Sequence, residues 1–330
     1  MNNFNDLIKI YQKDLIEVDE IIINSSIGKS NLIQEITQNL VGSGGKRIRP
    51  ILLIICAKLC NYHNSEVTNL LASSVELIHT ATLLHDDVVD ESQIRRGKKT
   101  ANAIFDNKAS ILVGDYLFSL SFQHMVQSKN LAVLKLLATT SSIIADGEVL
   151  QLQNSSNIEI TEEQYFEIIY GKTGALFSAC CEVGALLSAI DEHKLLALKN
   201  FGKNLGMLFQ IIDDILDYSS SQTIIGKDLG NDFFEGKVTL PIIKTYHNCD
   251  FDKKKLIKEF FSFNYHNNEK IYKNFEKTLE IMNDNNGLNL AKETAHNLYL
   301  QAKNDLNIFE DNIYKNHLIA ILDYSLNRIS

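Results

Sequence analysis

The chain has 330 residues, with two prolines, no tryptophan and 45% apolar residues, so it can bury a sizeable core. Proline usage is far below the average of roughly 5%, which favours long helices and disfavours a β-sandwich, a collagen-like chain and a proline-rich disordered protein. The 32 basic and 41 acidic residues give a net charge of −9, which argues against nucleic acid as a partner.

Apolar residues recur with helical spacing from the N-terminus onward. This period predicts a helix over residues 3–23 and a second one over residues 30–40. Three glycines within residues 42–45 then interrupt the pattern, and Pro50 suits the start of the next helix because a missing N–H is tolerated there. Ser65 is predicted to cap a long helix that runs towards Asp90.

The segment over residues 95–100 is polar and is predicted to form a loop. Thr161 and Gln164 have the spacing of a capping box, which follows a predicted loop over residues 154–160. Further helices are predicted from about residue 109 and over residues 131–153, 173–190, 192–218 and 239–246. Alternation over the length of a strand is hard to find, so the pattern favours an all-α protein.

No linker rich in proline, glycine or serine divides the chain, and no repeat of solenoid period is evident. We therefore expect a single all-α domain over residues 1–330, with a motif-bearing core at about 40–245 and more variable helices over 246–330. The five cysteines are predicted to be reduced and buried in a cytoplasmic protein. We expect a soluble protein, because the sequence has neither a signal peptide nor an apolar run of about 18 residues.

The sharpest local feature is an acidic cluster that follows an apolar stretch over residues 75–84. On a helix, Asp86 and Asp90 lie on the same side, where like charges repel and destabilise the helix. Carboxylates at the end of a buried helix need a compensating cation, and Mg²⁺ is the natural candidate because it prefers oxygen ligands.

The same pattern recurs far along the chain, where Asp213, Asp214 and Asp217 follow another apolar helix. A single acidic cluster of this spacing is as readily a solvated helix end. Two such clusters in one all-α chain predict facing walls of one metal site. Mg²⁺ keeps waters and binds a few carboxylates together with substrate phosphates, so the pattern indicates a phosphorylated ligand.

Basic side chains accompany both clusters, and arginine and lysine are the residues that bind phosphate oxygens. Each alone is more often a solvated surface charge, but together they suit two polyanionic ligands in an acidic protein. They occur at Lys46, Arg47, Arg49, Arg95, Arg96, Lys172, Lys227 and Lys237. His79 lies two helical turns before Asp86 and is predicted to line the same cavity, although a buried histidine without a ligand is the commoner outcome.

These motifs resemble those of the trans-isoprenyl diphosphate synthases, and most closely those of the long-chain members. The resemblance covers about residues 40–245 and is specific, because many spaced motifs agree in order. They are GGKRIRP at 44–50, IHTATLLHDDVVDES at 78–92, RRG at 95–97, GDYL at 114–117, GEVLQL at 147–152, GKTGALF at 171–177, FQIIDDILDY at 209–218, GKDLGND at 226–232 and GKVTLPII at 236–243.

The resemblance implies a fold of antiparallel helices around a large central cavity, and condensation of isopentenyl diphosphate, head to tail, with an allylic diphosphate. It implies that Asp86, Asp90 and Asp213 ligate Mg²⁺ on the allylic diphosphate, supported by Asp87, Asp214 and Asp217. Arg95, Lys172, Lys227 and Lys237 would bind the same diphosphate, and Lys46, Arg49, His79 and Arg96 would bind isopentenyl diphosphate. Thr173 and Gln210 would lie near the developing carbocation.

Product length in this family depends on residues just before the first aspartate, where a bulky aromatic side chain stops growth. Ala81 and Thr82 are small, so we expect a tunnel that continues past them and an all-trans product near C40, made from farnesyl or geranylgeranyl diphosphate for a quinone side chain. Phe118, Phe122 and Met125 are candidates for the residue that closes the tunnel, although most of them are expected to be ordinary core residues.

Three other functions remain open from the sequence. A short-chain synthase with a C15–C20 product shares the motifs, a terpene cyclase shares the fold, and a non-catalytic partner subunit shares the ancestry. The intact second cluster and Lys227 favour a catalytic synthase over the last two. The family further implies a homodimer, and a lipid product suggests loose association with membranes.

Overall fold

The computed structural model describes residues 4–28, 30–42, 44–95, 97–188, 190–219, 229–262 and 268–329. Most of these residues are helical, and the strands in the described part of the chain are a single two-residue pair. The all-α fold class is therefore confirmed. The central cavity and the single domain stay predictions.

The N-terminal part of the chain contains seven helices among its described residues and the strand pair. They are α1 (Phe4–Ile10), α2 (Gln12–Ser26), α3 (Asn31–Gly42), α4 (Ile48–Leu59), α5 (Ser65–Val89), β1 (Ile94–Arg95), β2 (Lys98–Lys99), α6 (Ala101–Phe105) and α7 (Asn107–Gln127). Next come α8 (Leu131–Gln153), α9 (Glu162–Ile169), a π-helical turn (Tyr170–Gly174), α10 (Ala175–Leu186) and α11 (Glu192–Asp217).

The C-terminal part is also helical wherever it is described. Its elements are α12 (Asn231–Phe234), α13 (Leu240–Asn248), α14 (Phe251–Ser262), α15 (Asn268–Asp284), α16 (Gly287–Asp305), a 3-10 turn (Leu306–Ile308), α17 (Ile313–Leu326) and a final 3-10 turn (Asn327–Ile329).

Three local predictions differ from the structure. The single helix predicted over residues 3–23 is divided at Tyr11 into α1 and α2. The cap of α5 is Asn64 rather than Ser65, because the Asn64 side chain accepts a hydrogen bond from the Val67 N–H at 3.3 Å. The segment 95–100 is not entirely a loop, since β1 and β2 pair antiparallel around Gly97, whose φ of +74° suits a tight turn. The capping box at Thr161 and Gln164 is confirmed.

The contacts divide the chain into two compact units. The first unit contains residues 1–142, 176–202 and 305–324, and the second contains residues 143–175, 203–304 and 325–330. The division falls within α8 and within α11, so each of these helices contributes residues to both units.

The first unit is organised around α5 and α7, which run antiparallel to each other. At one end, the Ser73 hydroxyl lies 2.8 Å from Nδ1 of His124, and at the other, Nε2 of His85 lies 3.2 Å from the Ile111 carbonyl oxygen. Gly114 allows this close approach, because a side chain there would clash with the His85 ring. These contacts between α5 and α7 position the end of α5, where the first acidic cluster lies.

The second unit brings two backbones into direct contact where α8 passes the π-helical turn. A Cβ atom added to Gly147 would lie 2.8 Å from Cα of Gly171, so only glycine fits at this crossing. A cluster of phenylalanines closes another part of the unit, with the Phe233 ring centroid 5.1 Å from that of Phe261 and 5.5 Å from that of Phe275. The glycine contact positions Lys172 and Thr173 on the π-helical turn.

The burial of side chains bears on two features of the sequence, the cysteines and the most apolar helix. All five cysteines are buried and free, as predicted. By length and composition, α5 alone among the described helices could cross a membrane, but 67% of its most apolar window is buried inside the protein. The core helix of a soluble protein passes the same test.

Candidate active site

The first aspartate motif consists of Asp86, Asp87 and Asp90, at the C-terminal end of α5. Asp86 and Asp90 are partly exposed, whereas Asp87 is buried. The last turn of a helix carries the negative end of the helix dipole, so acidic side chains there raise the local negative potential further. This end of α5 is therefore suited to bind a cation.

Asp87 points inward and is held by its own partner rather than by a ligand. Its Oδ1 accepts a hydrogen bond from Nε of Arg95 at 2.8 Å, and Asn102 donates to its backbone carbonyl at 3.1 Å. Burial raises the pKa of Asp87, and the Arg95 guanidinium opposes that shift. Asp87 thus fixes β1 against α5 and orients Arg95, one of the predicted diphosphate ligands.

The glycine-rich turn before α4 uses its three cations in different ways. Arg47 turns inward with a φ of 46° and forms ion pairs with Glu76 and, at 3.0 Å, with Asp19. Lys46 and Arg49 flank it, and they lie over aromatic rings, with Lys46 Nζ 4.8 Å from the Tyr324 centroid and Arg49 Cζ 4.8 Å from the Phe177 centroid. Arg47 therefore anchors the turn, while Lys46 is exposed to solvent.

His79 and the residues predicted to control product length share the α5–α7 pair. His79 and Thr82 are partly exposed, and Ala81 is 1% exposed. Their counterparts on α7 differ from one another, because Met125 is fully buried whereas Phe118 and Phe122 are partly exposed.

The antiparallel ladder orders these side chains along the two helices. Gly114 lies against His85, so Phe118, one turn further along α7, reaches the level of Ala81, one turn back along α5. The Phe118 and Phe122 rings form an edge-to-face pair with centroids 5.3 Å apart. This aromatic pair follows Ala81 towards the far end of the two helices.

The second aspartate motif consists of Asp213, Asp214 and Asp217, at the C-terminal end of α11. Asp214 is buried and accepts two hydrogen bonds, from the Tyr165 hydroxyl at 2.6 Å and from Nε2 of Gln210 at 2.8 Å. Burial raises the pKa of Asp214 to about 7, although both hydrogen bonds oppose this shift. Its position on the inner side of the helix corresponds to that of Asp87.

The other two aspartates of this motif already have partners in the protein. Nη2 of Arg328 lies 2.5 Å from Oδ1 of Asp213, and the guanidinium lies 4.6 Å from the Phe209 centroid. Asp217 accepts hydrogen bonds from the backbone N–H groups of Asn231, at 3.2 Å, and Asp232, at 2.9 Å, so it caps α12. Within this motif, Asp213 is the carboxylate that is paired with a basic side chain.

The predicted cations of the second unit each face an acidic partner. Nζ of Lys172 lies 3.1 Å from Oε2 of Glu148, and Nζ of Lys237 lies 2.6 Å from Oε2 of Glu235. Thr173, next to Lys172, donates its hydroxyl to Oε1 of Gln210 at 2.8 Å. The structure therefore brings together the two residues predicted to lie near the carbocation.

Two further predicted ligands, Arg96 and Lys227, lie outside the described residues. Among the residues that are described, no three histidine, cysteine, aspartate or glutamate side chains converge into a complete metal site. Mg²⁺ is nevertheless suited to this donor set, because it binds through one or two carboxylates and completes its coordination with water and substrate phosphate oxygens. In the first unit, Asp86 and Asp90 are two partly exposed carboxylates of this kind, and in the second unit Asp213 is another.

Comparison with protein families shows which family the chain belongs to. A model described as polyprenyl synthetase matches residues 30–279. The chain belongs to this family. The resemblance to the trans-isoprenyl diphosphate synthases is thereby confirmed, and the protein is a prenyltransferase.

One curated relative and one solved structure match the chain over nearly its whole length. The chain is 36% identical to the octaprenyl diphosphate synthase of Escherichia coli over 327 residues, which cover 99% of each chain. The structure of a decaprenyl diphosphate synthase from Rhodobacter capsulatus superimposes with a TM-score of 0.92, at 39% identity and with 99% of each chain covered.

A second solved structure similar to the synthetase contains ligands. It is a polyprenyl synthase from Caulobacter crescentus complexed with calcium and isoprenyl diphosphate, with a TM-score of 0.92, 35% identity, and coverage of 99% of this chain and 98% of that one. That protein binds a divalent cation together with a diphosphate.

Several residues of the synthetase site were missed by the reasoning from sequence. Tyr165 and Glu148 lie 49 and 24 residues from the side chains they contact, and Arg328 lies 115 residues from Asp213. No local spacing signals such contacts. Glu148 does have a local signal, because it belongs to the GEVLQL motif, although that motif does not indicate the contact with Lys172.

Proposed function

We propose that this prenyltransferase condenses isopentenyl diphosphate, head to tail, onto farnesyl or geranylgeranyl diphosphate and makes an all-trans product near C40. The observation that carries the proposal is the repeated acidic helix end. In each motif the second aspartate is buried and held by protein donors, while the first is left partly exposed. Octaprenyl and decaprenyl synthases among the relatives support a long product.

The chemistry depends on charge separation at the allylic carbon. Ionisation of the allylic C–O bond produces a carbocation and a leaving diphosphate. Mg²⁺, held by Asp86, Asp90 and Asp213, would neutralise negative charge on that diphosphate when bound. Arg95, Lys172 and Lys237 would donate further hydrogen bonds to its oxygens, together with Lys227.

The second substrate and the carbocation need different surroundings. Lys46, Arg49, His79 and Arg96 would bind the diphosphate of isopentenyl diphosphate. Its double bond attacks the allylic cation, and the new cation that results then loses a proton to form the double bond of the product. Thr173 and Gln210 would offer oriented dipoles to the cation, because a charge in a dry pocket requires polar groups that are already in place.

We attribute product length to the α5–α7 pair. Ala81 and Thr82 are too small to end a growing chain, whereas Phe118 and Phe122 expose aromatic surface one and two turns further on. Replacement Ala81→Phe is expected to shorten the main product to C15–C20, as sized by chromatography. A product of unchanged length would contradict this assignment, and Ser119→Phe, on the exposed side of α7, is the matched control.

The proposal extends to assembly and location. Leu112, Val126 and Leu131 are 68%, 60% and 80% exposed, and burying such apolar side chains against a second copy supports a homodimer. We further propose a cytoplasmic enzyme that serves quinone synthesis and associates loosely with membranes when its lipid product leaves. Light scattering would measure the dimer, and sedimentation with liposomes would measure the association.

A single assay tests the main proposal. Purified protein is incubated with radiolabelled isopentenyl diphosphate and farnesyl diphosphate, with Mg²⁺ or with EDTA, and the products are separated by length. We expect incorporation that EDTA abolishes and Mg²⁺ restores. Products that stop at C15 or C20 would favour a short-chain synthase, and cyclised products without incorporation would favour a terpene cyclase. Incorporation only with a second protein would indicate a partner subunit.

A further inference from the structure

A continuous chain of hydrogen bonds crosses the second unit from Tyr165 to Thr173. The Tyr165 hydroxyl donates to Oδ2 of Asp214 at 2.6 Å, and Nε2 of Gln210 donates to Oδ1 of the same carboxylate at 2.8 Å. Oε1 of Gln210 then accepts the Thr173 hydroxyl at 2.8 Å. The four residues come from α9, the π-helical turn and α11.

We propose that Tyr165 is a positioning residue for prenyl transfer. Tyr165 holds the Asp214 carboxyl group, and Asp214 in turn orients the Gln210 amide. Gln210 then fixes the Thr173 hydroxyl so that the lone pairs of the Thr173 oxygen are available to the developing carbocation. This inference rests on the proposed function, since it concerns the same reaction. Tyr165 does not touch the substrate and acts only through Asp214.

The direction of each hydrogen bond follows from the chemistry of the groups. Each oxygen of Asp214 accepts one hydrogen bond, from the Tyr165 hydroxyl at 2.6 Å and from Nε2 of Gln210 at 2.8 Å. Because the amide nitrogen of Gln210 faces Asp214, its oxygen must face Thr173. A hydroxyl has one proton, and Thr173 directs that proton at Gln210, so only its lone pairs remain for any other neighbour.

The hydrogen-bond chain from Tyr165 to Thr173 therefore has a polarity that suits a cation beside Thr173. Every donor in it points towards Asp214, and successive hydrogen bonds in a buried chain polarise one another. Partial negative charge is thereby displaced towards the oxygen of Thr173. An oxygen that is already oriented needs no rearrangement when positive charge develops beside it.

The surroundings hold both ends of the chain in place. Tyr165 is 3% exposed and lies on α9, which begins with the capping box of Thr161 and Gln164. Nζ of Lys244 lies 2.7 Å from Glu162 and ties α9 to α13. At the other end, contact between Gly171 and Gly147 fixes the π-helical turn that carries Thr173.

The test is a double-mutant cycle in the full-length enzyme. Tyr165→Phe removes one hydroxyl, and we expect kcat to fall about tenfold while KM for both substrates changes less than twofold. Tyr246→Phe removes a hydroxyl from a partly exposed tyrosine of α13 and is expected to leave kcat unchanged. Thermal unfolding and circular dichroism are recorded for each variant.

Coupling separates a positioning role from a structural one. If Tyr165 acts through Thr173, then Tyr165→Phe should have no further effect on kcat in a Thr173→Val background. Equal losses in both backgrounds, an unchanged kcat, or a rise in KM without a fall in kcat would each overturn the proposal. If Tyr165→Phe does not fold, Gln210→Met breaks the same chain and the same cycle applies.

Failure of the proposed function gives a different result from failure of this inference. An unmodified enzyme that does not incorporate isopentenyl diphosphate refutes the function, whatever the variants do. An active enzyme whose Tyr165→Phe variant keeps its full kcat refutes only the role of Tyr165.

Discussion

The ends of α5 and α11 carry the same DDxxD spacing, but their carboxylates have different partners. In the first motif, Asp87 faces a cation, since Nε of Arg95 lies 2.8 Å away. In the second, Asp214 faces two neutral donors, and its pKa is raised to about 7. Helical geometry explains why the second aspartate is buried in both, and it does not determine what that carboxylate meets.

The outward residues differ as well. Asp90 ends α5, and its backbone N–H donates to the Asp86 carbonyl at 2.8 Å. Asp217 instead caps α12, and Asp213 is paired with Arg328. One motif is thus built from a single helix end, whereas the other is held by segments far away in the chain.

The largest effect is expected from the outward aspartates. Asp86→Asn and Asp213→Asn should each lower kcat by about 100-fold to 1000-fold, because each removes a charge that would hold the cation at the leaving diphosphate. Steady-state kinetics measure the loss, and Asp146→Asn, at an exposed position of α8, is the control. Full activity of either variant would show that its motif does not take part in the reaction.

Acid should weaken the first unit through His124, which lies between Ser25 and Ser73. Burial lowers its pKa from 6.5 to about 4, so the unfolded chain takes up the proton first as the pH falls. The free energy of unfolding should therefore decrease between pH 6.5 and pH 4, by up to about 3 kcal/mol from this residue.

Urea titrations at several pH values check this expectation, and His124→Gln should reduce the slope. His317, whose pKa is also lowered by burial, contributes to the slope that remains. The described histidines of the second unit, His247 and His296, are exposed, so replacing either with glutamine is the matched control and should leave the slope unchanged. An identical slope in the variant would contradict the assignment.

Gly147 of the second unit and Gly114 of the first should differ in their tolerance of a methyl group. Gly147→Ala would bring a Cβ atom to 2.8 Å from the backbone of Gly171 and Lys172, and backbone yields little, so we expect a loss of about 1–3 kcal/mol. Gly114→Ala meets only the His85 side chain, which is 38% exposed and can rotate, so its loss should be smaller. Chemical denaturation of both variants measures the difference, and equal losses would refute it.

The smallest effect concerns the two arginines. Arg95→Gln leaves the buried Asp87 carboxylate without its cation and should lower the free energy of unfolding by about 1–2 kcal/mol. Arg328→Gln leaves Asp213, whose side chain is 34% exposed, in contact with water, so we expect less than about 1 kcal/mol. Thermal unfolding measures the destabilisation by each variant. A larger loss for Arg328→Gln than for Arg95→Gln would contradict the difference in burial between Asp87 and Asp213.

Much of the molecule could be predicted from sequence, because the deciding signals were local. The prediction of α8 over 131–153 matches its observed bounds, since apolar period and turn residues define a helix within a short window. The cap of α5 was misplaced by one residue because Asn64 and Ser65 are both good caps, and only the backbone conformation distinguishes them. The strand pair around Gly97 was missed because two-residue strands have no period to detect.

By itself, the sequence determined the all-α class, the two acidic helix ends and the family, because all three depend on residues a few positions apart. Only the tertiary structure decided that Arg47 anchors its turn, that Asp217 caps α12, and that Tyr165 and Arg328 reach the second motif. The physical reason is that the helical period of apolar residues indicates which face of a helix is buried. Which partner it meets there depends on packing between segments that the chain separates by tens of residues.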